Sequence, residues 1–152
     1  VKYSRGLQEA ARVLQRPPRR DEQIVTFFYG TTGTGKTRTV HELCPLEDLY
    51  TLEPPNSFNG AAWFDDYCGQ SNILIDEYEG WLPWAYLLRL LDRYPMRVQV
   101  KGSSVPLHAK RIFLTSNKLP SEWHPHQKLD PLLRRIHKAY ELCNDVTRVL
   151  TL

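Results

Sequence analysis

Residues 24–37 have the sequence IVTFFYGTTGTGKT, an unbroken run of β-branched and aromatic residues followed by a glycine-rich segment. The first part is typical of a strand buried on both faces, and the second fits the pattern G-x-x-x-x-G-K-[ST]. Such a loop turns its backbone N–H groups toward phosphate oxygens, and the helix that it opens adds a positive dipole end. We therefore predict a triphosphate-binding loop formed by Gly30, Thr31, Thr32, Gly33, Thr34, Gly35, Lys36 and Thr37. Lys36 is expected to reach the β- and γ-phosphates, and the Thr37 hydroxyl to bind Mg²⁺.

Two more predicted strands end in polar residues. Ile73-Leu74-Ile75 is followed by Asp76-Glu77, and the strand at 111–115 is followed by Ser116 and Asn117. We expect Asp76 to hold the Mg²⁺ shell and Glu77 to polarise the attacking water. Asn117 is suited to hydrogen-bond the γ-phosphate or that water. Together these residues predict hydrolysis of the bound triphosphate.

Strands alternating with helices predict an α/β fold with a mainly parallel central sheet flanked by helices. The remaining predicted helices and strands are helix 4–16 with Ser4 as N-cap, a helix through about Leu43, strand 48–53, helix 83–93 and helix 129–135. Residues 136–142 continue that last helix or form a last strand. We divide the chain into a helical segment and linker at 1–22 and a main domain at 23–152.

Basic residues mark two further candidate sites. Strands 97–100 and 105–107 flank a hairpin tip where Lys101, Gly102 and Ser103 have the chemistry to approach a nucleic-acid backbone, although a solvated turn lysine is the alternative. Arg134-Arg135 suits the charge that develops on a transferring phosphoryl group, with a solvated basic helix face as the alternative.

The composition of the chain excludes fewer functions than its motifs do. The 152 residues carry a formal net charge of +3, which permits nucleic-acid binding without requiring it. No apolar stretch approaches the roughly 18–20 residues of a membrane helix, so we expect no membrane partner. Cys44, Cys68 and Cys143 show no metal-ligand spacing. Trp81 and Trp84 favour packing over base stacking.

Several blocks of the sequence resemble the superfamily 3 helicase domain of replication initiator (Rep) proteins from circoviruses and circovirus-like agents. They are GTTGTGKT at 30–37, ILIDEYEGWLPWAYLLRLLDRYP at 73–95, VQVKGSSVPLHAKRIFLTSNKLPSEW at 98–123 and LLRRI at 132–136. The resemblance implies an AAA+-like P-loop NTPase with Walker A at 30–37, Walker B at Asp76 and Glu77, and Asn117 as the sensor. Lys101 with Gly102 and Ser103 would grip DNA, and Arg134 or Arg135 would be the arginine finger.

The same resemblance implies a working assembly. Members of this family form homo-hexameric rings that use ATP and Mg²⁺ to translocate 3′ to 5′ along single-stranded DNA, and the first helix resembles their oligomerisation segment. We therefore expect bound ATP or ADP, a DNA helicase and ATPase activity, and location in the host nucleus. The endonuclease domain of family members is not expected in this chain.

Two other functions fit parts of the sequence. A small P-loop kinase would share the phosphate-binding loop, but it leaves the Lys101 hairpin unexplained. A nucleotide-regulated DNA-binding or scaffold module would bind ATP and DNA without useful turnover of ATP.

Overall fold

The structure, a computed structural model, describes residues 5–54, 64–144 and 146–152. The helices are α1 (Arg5–Leu14), α2 (Lys36–Leu43), α3 (Trp84–Leu91), α4 (Pro120–Trp123) and α5 (Asp130–Leu133), with a 3-10 turn at Leu46–Asp48. The strands are β1 (Ile24–Tyr29), β2 (Leu49–Leu52), β3 (Asn72–Ile75), β4 (Arg97–Val100), β5 (Ser103–Pro106), β6 (Arg111–Ser116), β7 (Lys138–Cys143) and β8 (Val146–Val149).

The central sheet places β1, β3 and β6, the strands that precede the predicted site residues, side by side. Among the described residues its strand order is β2-β3-β6-β1-β7-β8, and every pairing is parallel except that of β7 with β8. Strand β6 lies between β1 and β3, with Tyr29 opposite Ser116 and Ile75 opposite Leu114. The carboxyl ends of these three strands therefore meet at one edge of the sheet.

Alternating side chains of the strands build a core on each face of the sheet. Phe28, Leu74 and Phe113 pack with Val40 of α2 on one face. Phe27, Ile75 and Leu114 face the opposite way, into the larger cluster that includes α3 and the β4–β5 hairpin. The continuous apolar runs of β1, β3 and β6 follow from this two-sided burial.

Arginine side chains attach the N-terminal segment to the rest of the domain. The Arg97 guanidinium of β4 donates to the carbonyl oxygens of Val13 (2.5 Å) and Gln15 (2.8 Å), at the end of α1. Arg20, buried in the linker, donates to the Leu90 carbonyl at 2.6 Å and to those of Arg89 and Tyr94. Its burial lowers the pKa of Arg20 to about 10. Helix α1 and the linker thus cover the hairpin and the end of α3.

The sequence-based element assignments are mostly confirmed, with differences at the hairpin and in the C-terminal part. The second hairpin strand, predicted at 105–107, is Ser103–Pro106, so Ser103 lies in the strand and not in the turn. The helix predicted at 129–135 is limited to Asp130–Leu133, and residues 138–143 form a strand, which decides between the two alternatives for 136–142. Strand β8 and helix α4 were not predicted. The proposed N-cap Ser4 lies outside the described residues.

Candidate nucleotide-binding site

The loop between β1 and α2 is held in shape by its own lysine. Lys36 Nζ donates to the carbonyl oxygens of Gly30 (2.7 Å) and Thr31 (2.9 Å), and Thr34 Oγ1 also donates to Thr31 at 2.8 Å. A Cβ at Gly30 would meet the Leu142 carbonyl oxygen at 2.6 Å, so this position requires glycine. Gly35, at φ 84°, occupies a left-handed conformation directly before α2. The loop therefore presents the first turn of α2 and the Lys36 ammonium to one cleft.

Asp76 joins this loop to the end of β3. Its Oδ1 accepts hydrogen bonds from Thr37 Oγ1 at 2.8 Å and from Thr115 Oγ1 at 2.7 Å. A hydroxyl and a carboxylate oxygen in contact are the hard ligands that suit Mg²⁺, which takes one or two carboxylates and completes its shell with water and substrate phosphates. Thr37 and Asp76 thus fit the predicted metal role.

Glu77 lies beside Asp76 in an uncommon backbone conformation. Its φ is 48°, its side chain is exposed, and its backbone N–H donates to Thr115 Oγ1 at 3.0 Å. Glutamate rarely adopts such a left-handed conformation, which clusters at functional sites. Burial lowers the pKa of Lys36, and the charges of Asp76 and Glu77 act in the opposite direction. The charge of Lys36 therefore interacts with the charges of both Asp76 and Glu77.

Lys36 and Glu77 line a cleft with a volume of about 550 Å³, enough for a nucleotide, and Asp76 contacts this cleft through its hydrogen bond to Thr37. The cleft brings together Gly33, Gly35, Lys36, Thr37, Glu77 and Asn117, all predicted from the sequence. Sequence reasoning missed six other lining residues, which are Arg38, Pro54, Glu79, Trp81, Thr115 and Ser116. A larger cavity of about 770 Å³ lies at the amino ends of the strands, between the linker and residues 105–110, and contains none of the phosphate-binding loop.

The predicted hairpin forms, and none of its residues is among the described residues that line this cleft. Lys101 is exposed at the turn between β4 and β5, next to Gly102 at φ 81°. Lys101 and Ser103 line a separate cavity with Gly6, Ala10 and Val13 of α1. The tip is therefore open to solvent on one side and bounded by α1 on the other.

The two candidate arginines have different environments. Arg134 is exposed at the end of α5. Arg135 is half-buried, forms an ion pair with Asp92 at 3.1 Å and donates to the Pro131 carbonyl at 2.7 Å. Neither arginine is among the described residues that line the nucleotide cleft.

A model of the RNA helicase family matches residues 26–118. The chain belongs to this family. The matched range begins within β1 and ends at Lys118, and so includes the residues that line the cleft and the Lys101 hairpin. The predicted P-loop NTPase fold of superfamily 3, with a mainly parallel sheet flanked by helices, is confirmed.

Curated relatives of this helicase domain are viral. The chain is 37% identical over 140 residues to the replication-associated protein of Canary circovirus, and the aligned region covers 91% of this chain and 46% of the relative. It is 38% identical to that of Porcine circovirus 2, covering 90% and 43%, and 36% identical to that of Beak and feather disease virus, covering 92% and 46%. The chain therefore spans less than half the length of these relatives, and the expected kinship with circovirus replication proteins is confirmed.

Two further titratable residues of the helicase domain, Tyr78 and His124, contact each other. Tyr78 Oη and His124 Nε2 are 2.8 Å apart, and burial lowers the pKa of His124. Among the described residues no group of three or more His, Cys, Asp or Glu side chains is arranged to hold a metal, and no helix is long and apolar enough to cross a membrane. Cys44, Cys68 and Cys143 are free thiols.

Proposed function

We propose that this helicase domain is an ATP-driven motor that translocates 3′ to 5′ on single-stranded DNA as a homo-hexameric ring, in the host nucleus. The observation that carries the proposal is the contact of Thr37 with Asp76, which joins the phosphate-binding loop to the acidic end of β3. Membership of the helicase family supports nucleotide-dependent work on a nucleic acid. Kinship with replication-associated proteins favours DNA as that nucleic acid.

The residues predicted from the sequence have separate roles in this proposal. Lys36, already directed along the loop, would exchange its carbonyl partners for the β- and γ-phosphates. Thr37 and Asp76 would hold Mg²⁺, which when bound neutralises charge on the phosphates. Glu77 would accept the proton of the attacking water, and Asn117 would orient the γ-phosphate or that water.

The working cycle needs a neighbouring subunit in this proposal. Arg134 is exposed and lies outside its own cleft, so it is free to reach a site completed by a second copy. An arginine supplied in trans stabilises charge on the transferring phosphoryl group. The N-terminal segment 1–22 would then contribute to assembly of the ring. Hydrolysis would move the Lys101 hairpins along the DNA backbone.

The test measures the reaction product and its dependence on nucleic acid. We expect inorganic phosphate to be released to water and its rate to rise with single-stranded DNA more than with RNA of the same sequence. Glu77→Gln should lower kcat at least about 100-fold while nucleotide binding persists, because only proton transfer is removed. The matched control is Glu47→Gln, at an exposed acid that is not among the described residues lining the cleft and lies outside the N-terminal segment. Phosphate transferred to an acceptor instead of water, or equal turnover of the Glu77→Gln variant and the parent, would contradict the proposal.

A further inference from the structure

Thr115 is fully buried near the end of β6, in contact with both Asp76 and Glu77. Its hydroxyl donates to Asp76 Oδ1 at 2.7 Å and accepts the backbone N–H of Glu77 at 3.0 Å. We propose that Thr115 is a positioning residue for hydrolysis, whose hydroxyl fixes the carboxylate of Asp76 and the backbone of Glu77 relative to each other. This inference rests on the proposed function and deepens it.

The backbone of Glu77 needs such support because of its conformation. A non-glycine residue at φ 48° is disfavoured and persists only where its surroundings determine it. Thr115 supplies two of the restraints, since its hydroxyl accepts the N–H of Glu77 and its carbonyl oxygen accepts the next N–H, that of Tyr78, at 2.7 Å. Trp81 Nε1 donates to the Glu77 carbonyl oxygen at 3.3 Å. The direction of the Glu77 side chain is therefore set largely by β6.

The carboxylate of Asp76 is held from two sides. Thr37 approaches Oδ1 from the phosphate-binding loop, and Thr115 approaches the same oxygen from within the sheet. Nucleotide and Mg²⁺ would contact the Thr37 side, whereas Thr115 borders the cleft but has no solvent-exposed surface. The Thr115 contact can therefore hold Asp76 in place while the loop side binds and releases nucleotide.

The side chain needed at position 115 is specific. A hydroxyl has one proton to donate and lone pairs to accept, so it can serve Asp76 and the Glu77 N–H at once. Valine has nearly the same shape but neither donates nor accepts, and it would leave the Glu77 N–H without its partner. Serine retains both bonds and lacks only the methyl group.

The main experiment compares Thr115→Val with Thr115→Ser in steady-state hydrolysis and nucleotide binding. We expect Thr115→Val to lower kcat at least about tenfold with a change in nucleotide Kd of less than about threefold, and Thr115→Ser to retain most of the parent kcat. Thr26→Val is the matched control, because Thr26 is a buried threonine of β1 that lies outside the cleft. It should leave kcat unchanged.

A second comparison separates positioning from general stability. If Thr115 acts through Glu77, Thr115→Val should lower kcat much less in a Glu77→Gln background than in the parent. An equal loss in both backgrounds would overturn the inference. If Thr115→Val does not fold, the comparison of Thr115→Cys with Thr115→Ser replaces it. Cysteine is similar to serine in size but forms only weak hydrogen bonds, so we expect Thr115→Cys to have a kcat at least roughly tenfold lower than that of Thr115→Ser.

The outcomes distinguish this inference from the proposed function. A parent protein that releases no phosphate from ATP contradicts the proposed function itself. A parent that hydrolyses ATP, together with Thr115→Val of equal kcat, overturns only the role of Thr115. Equal turnover of Thr115→Cys and Thr115→Ser would have the same meaning.

Discussion

At the scale of single residues, the Lys36 ammonium lies within the loop that we propose binds the phosphates. The ammonium is held by the Gly30 and Thr31 carbonyl oxygens and is near both Asp76 and Glu77. Partial burial disfavours the charged form, and the two carboxylates offset this effect. A polyphosphate would offer the ammonium stronger, charge-assisted partners than neutral carbonyl groups.

We expect Lys36→Ala to weaken ATP binding at least about tenfold, because a charge-assisted hydrogen bond is lost. Isothermal titration with a non-hydrolysable ATP analogue measures this change. Lys110→Ala is the control, since Lys110 is exposed and lies outside the nucleotide cleft. Thermal unfolding of both variants checks that the loop still forms without the Lys36 contacts. Unchanged ATP affinity in a folded Lys36→Ala protein would exclude the phosphate role.

The sequence predicted most of the residues in the cleft but not how they are connected. Lys36, Thr37, Asp76 and Glu77 belong to local patterns, so their meeting follows from the order of strands and loops. The role of Thr115 depends on the register that sets Ile75 opposite Leu114, which places Thr115 beside Asp76. No local pattern contains that register. The sequence offered one signal for this role. It has a threonine near the end of one buried strand and two acidic residues directly after another.

At the scale of elements, the β4–β5 hairpin is fixed at its base and exposed at its tip. Arg97 ties its first strand to Ser104 of the second and to α1. Lys101 lies at the opposite end in the turn. This arrangement suits a rigid support that presents one charge to a phosphate backbone.

Lys101→Ala should weaken binding of single-stranded DNA and reduce the slope of log affinity against log salt by about one, since one phosphate contact is removed. Fluorescence anisotropy at several salt concentrations measures both quantities. Nucleotide hydrolysis without DNA should be unchanged, because Lys101 is not among the residues lining the cleft. The exposed Lys128 provides the control variant Lys128→Ala. A salt slope equal to that of the parent would remove Lys101 from the DNA-binding surface.

The start of β2 and the start of β3 are joined by Asp48. Its carboxylate accepts the Ser71 backbone N–H at 2.8 Å and the Ser71 hydroxyl, and its backbone carbonyl accepts Asn72 Nδ2 at 3.0 Å. The Ser71 side chain, and then its backbone, hold the pKa of Asp48 below the ordinary value of 3.8. The folded state therefore binds this proton less readily than the unfolded state does. The resulting stabilisation is present above the unfolded pKa and is lost as pH falls through the folded pKa.

We expect Asp48→Asn to lower the free energy of unfolding by about 1 kcal/mol at neutral pH, a modest value because Asp48 is partly exposed. The difference from the parent should shrink as the pH falls below about 4. Urea denaturation at a series of pH values measures it. Glu47→Gln, at the exposed neighbouring residue, controls for the change in net charge. A difference that is constant with pH would show that the Ser71 contacts act independently of the Asp48 charge.

How far the fold could be predicted depends on how each element is stabilised. Strands β1, β3 and β6 are buried on both faces, so their apolar runs are visible in the sequence. Strand β8 is exposed at all four residues and is held by pairing with β7, which leaves no apolar pattern. The attachment of α1 rests on Arg97, more than 80 residues away in the chain. Contacts of that separation depend on tertiary structure and have no local signature.

At the scale of the whole molecule, the described residues that line the cleft include one arginine, Arg38 of α2, and neither of the two arginines that are candidates for the finger. Arg134 and Arg135 differ in what holds them. The Arg135 guanidinium is joined to Asp92, beyond the end of α3, and to the backbone of α5. Its removal should disturb the protomer that contains it. Arg134 is exposed, so its removal should affect chiefly what it reaches outside the protomer.

Mixed assemblies test this difference between the two arginines. Arg134→Ala alone and Lys36→Ala alone should each hydrolyse ATP poorly, the first for lack of a finger and the second for lack of phosphate binding. In an equal mixture of the two variants, about one ring interface in four should pair an intact loop with an intact Arg134, and hydrolysis should recover to about that fraction. Arg135→Ala in the same mixture should give no comparable recovery if its defect is the lost Asp92 ion pair within its own subunit. No recovery at any ratio with Arg134→Ala would contradict a finger in trans, and recovery with Arg135→Ala instead would reassign the finger to Arg135.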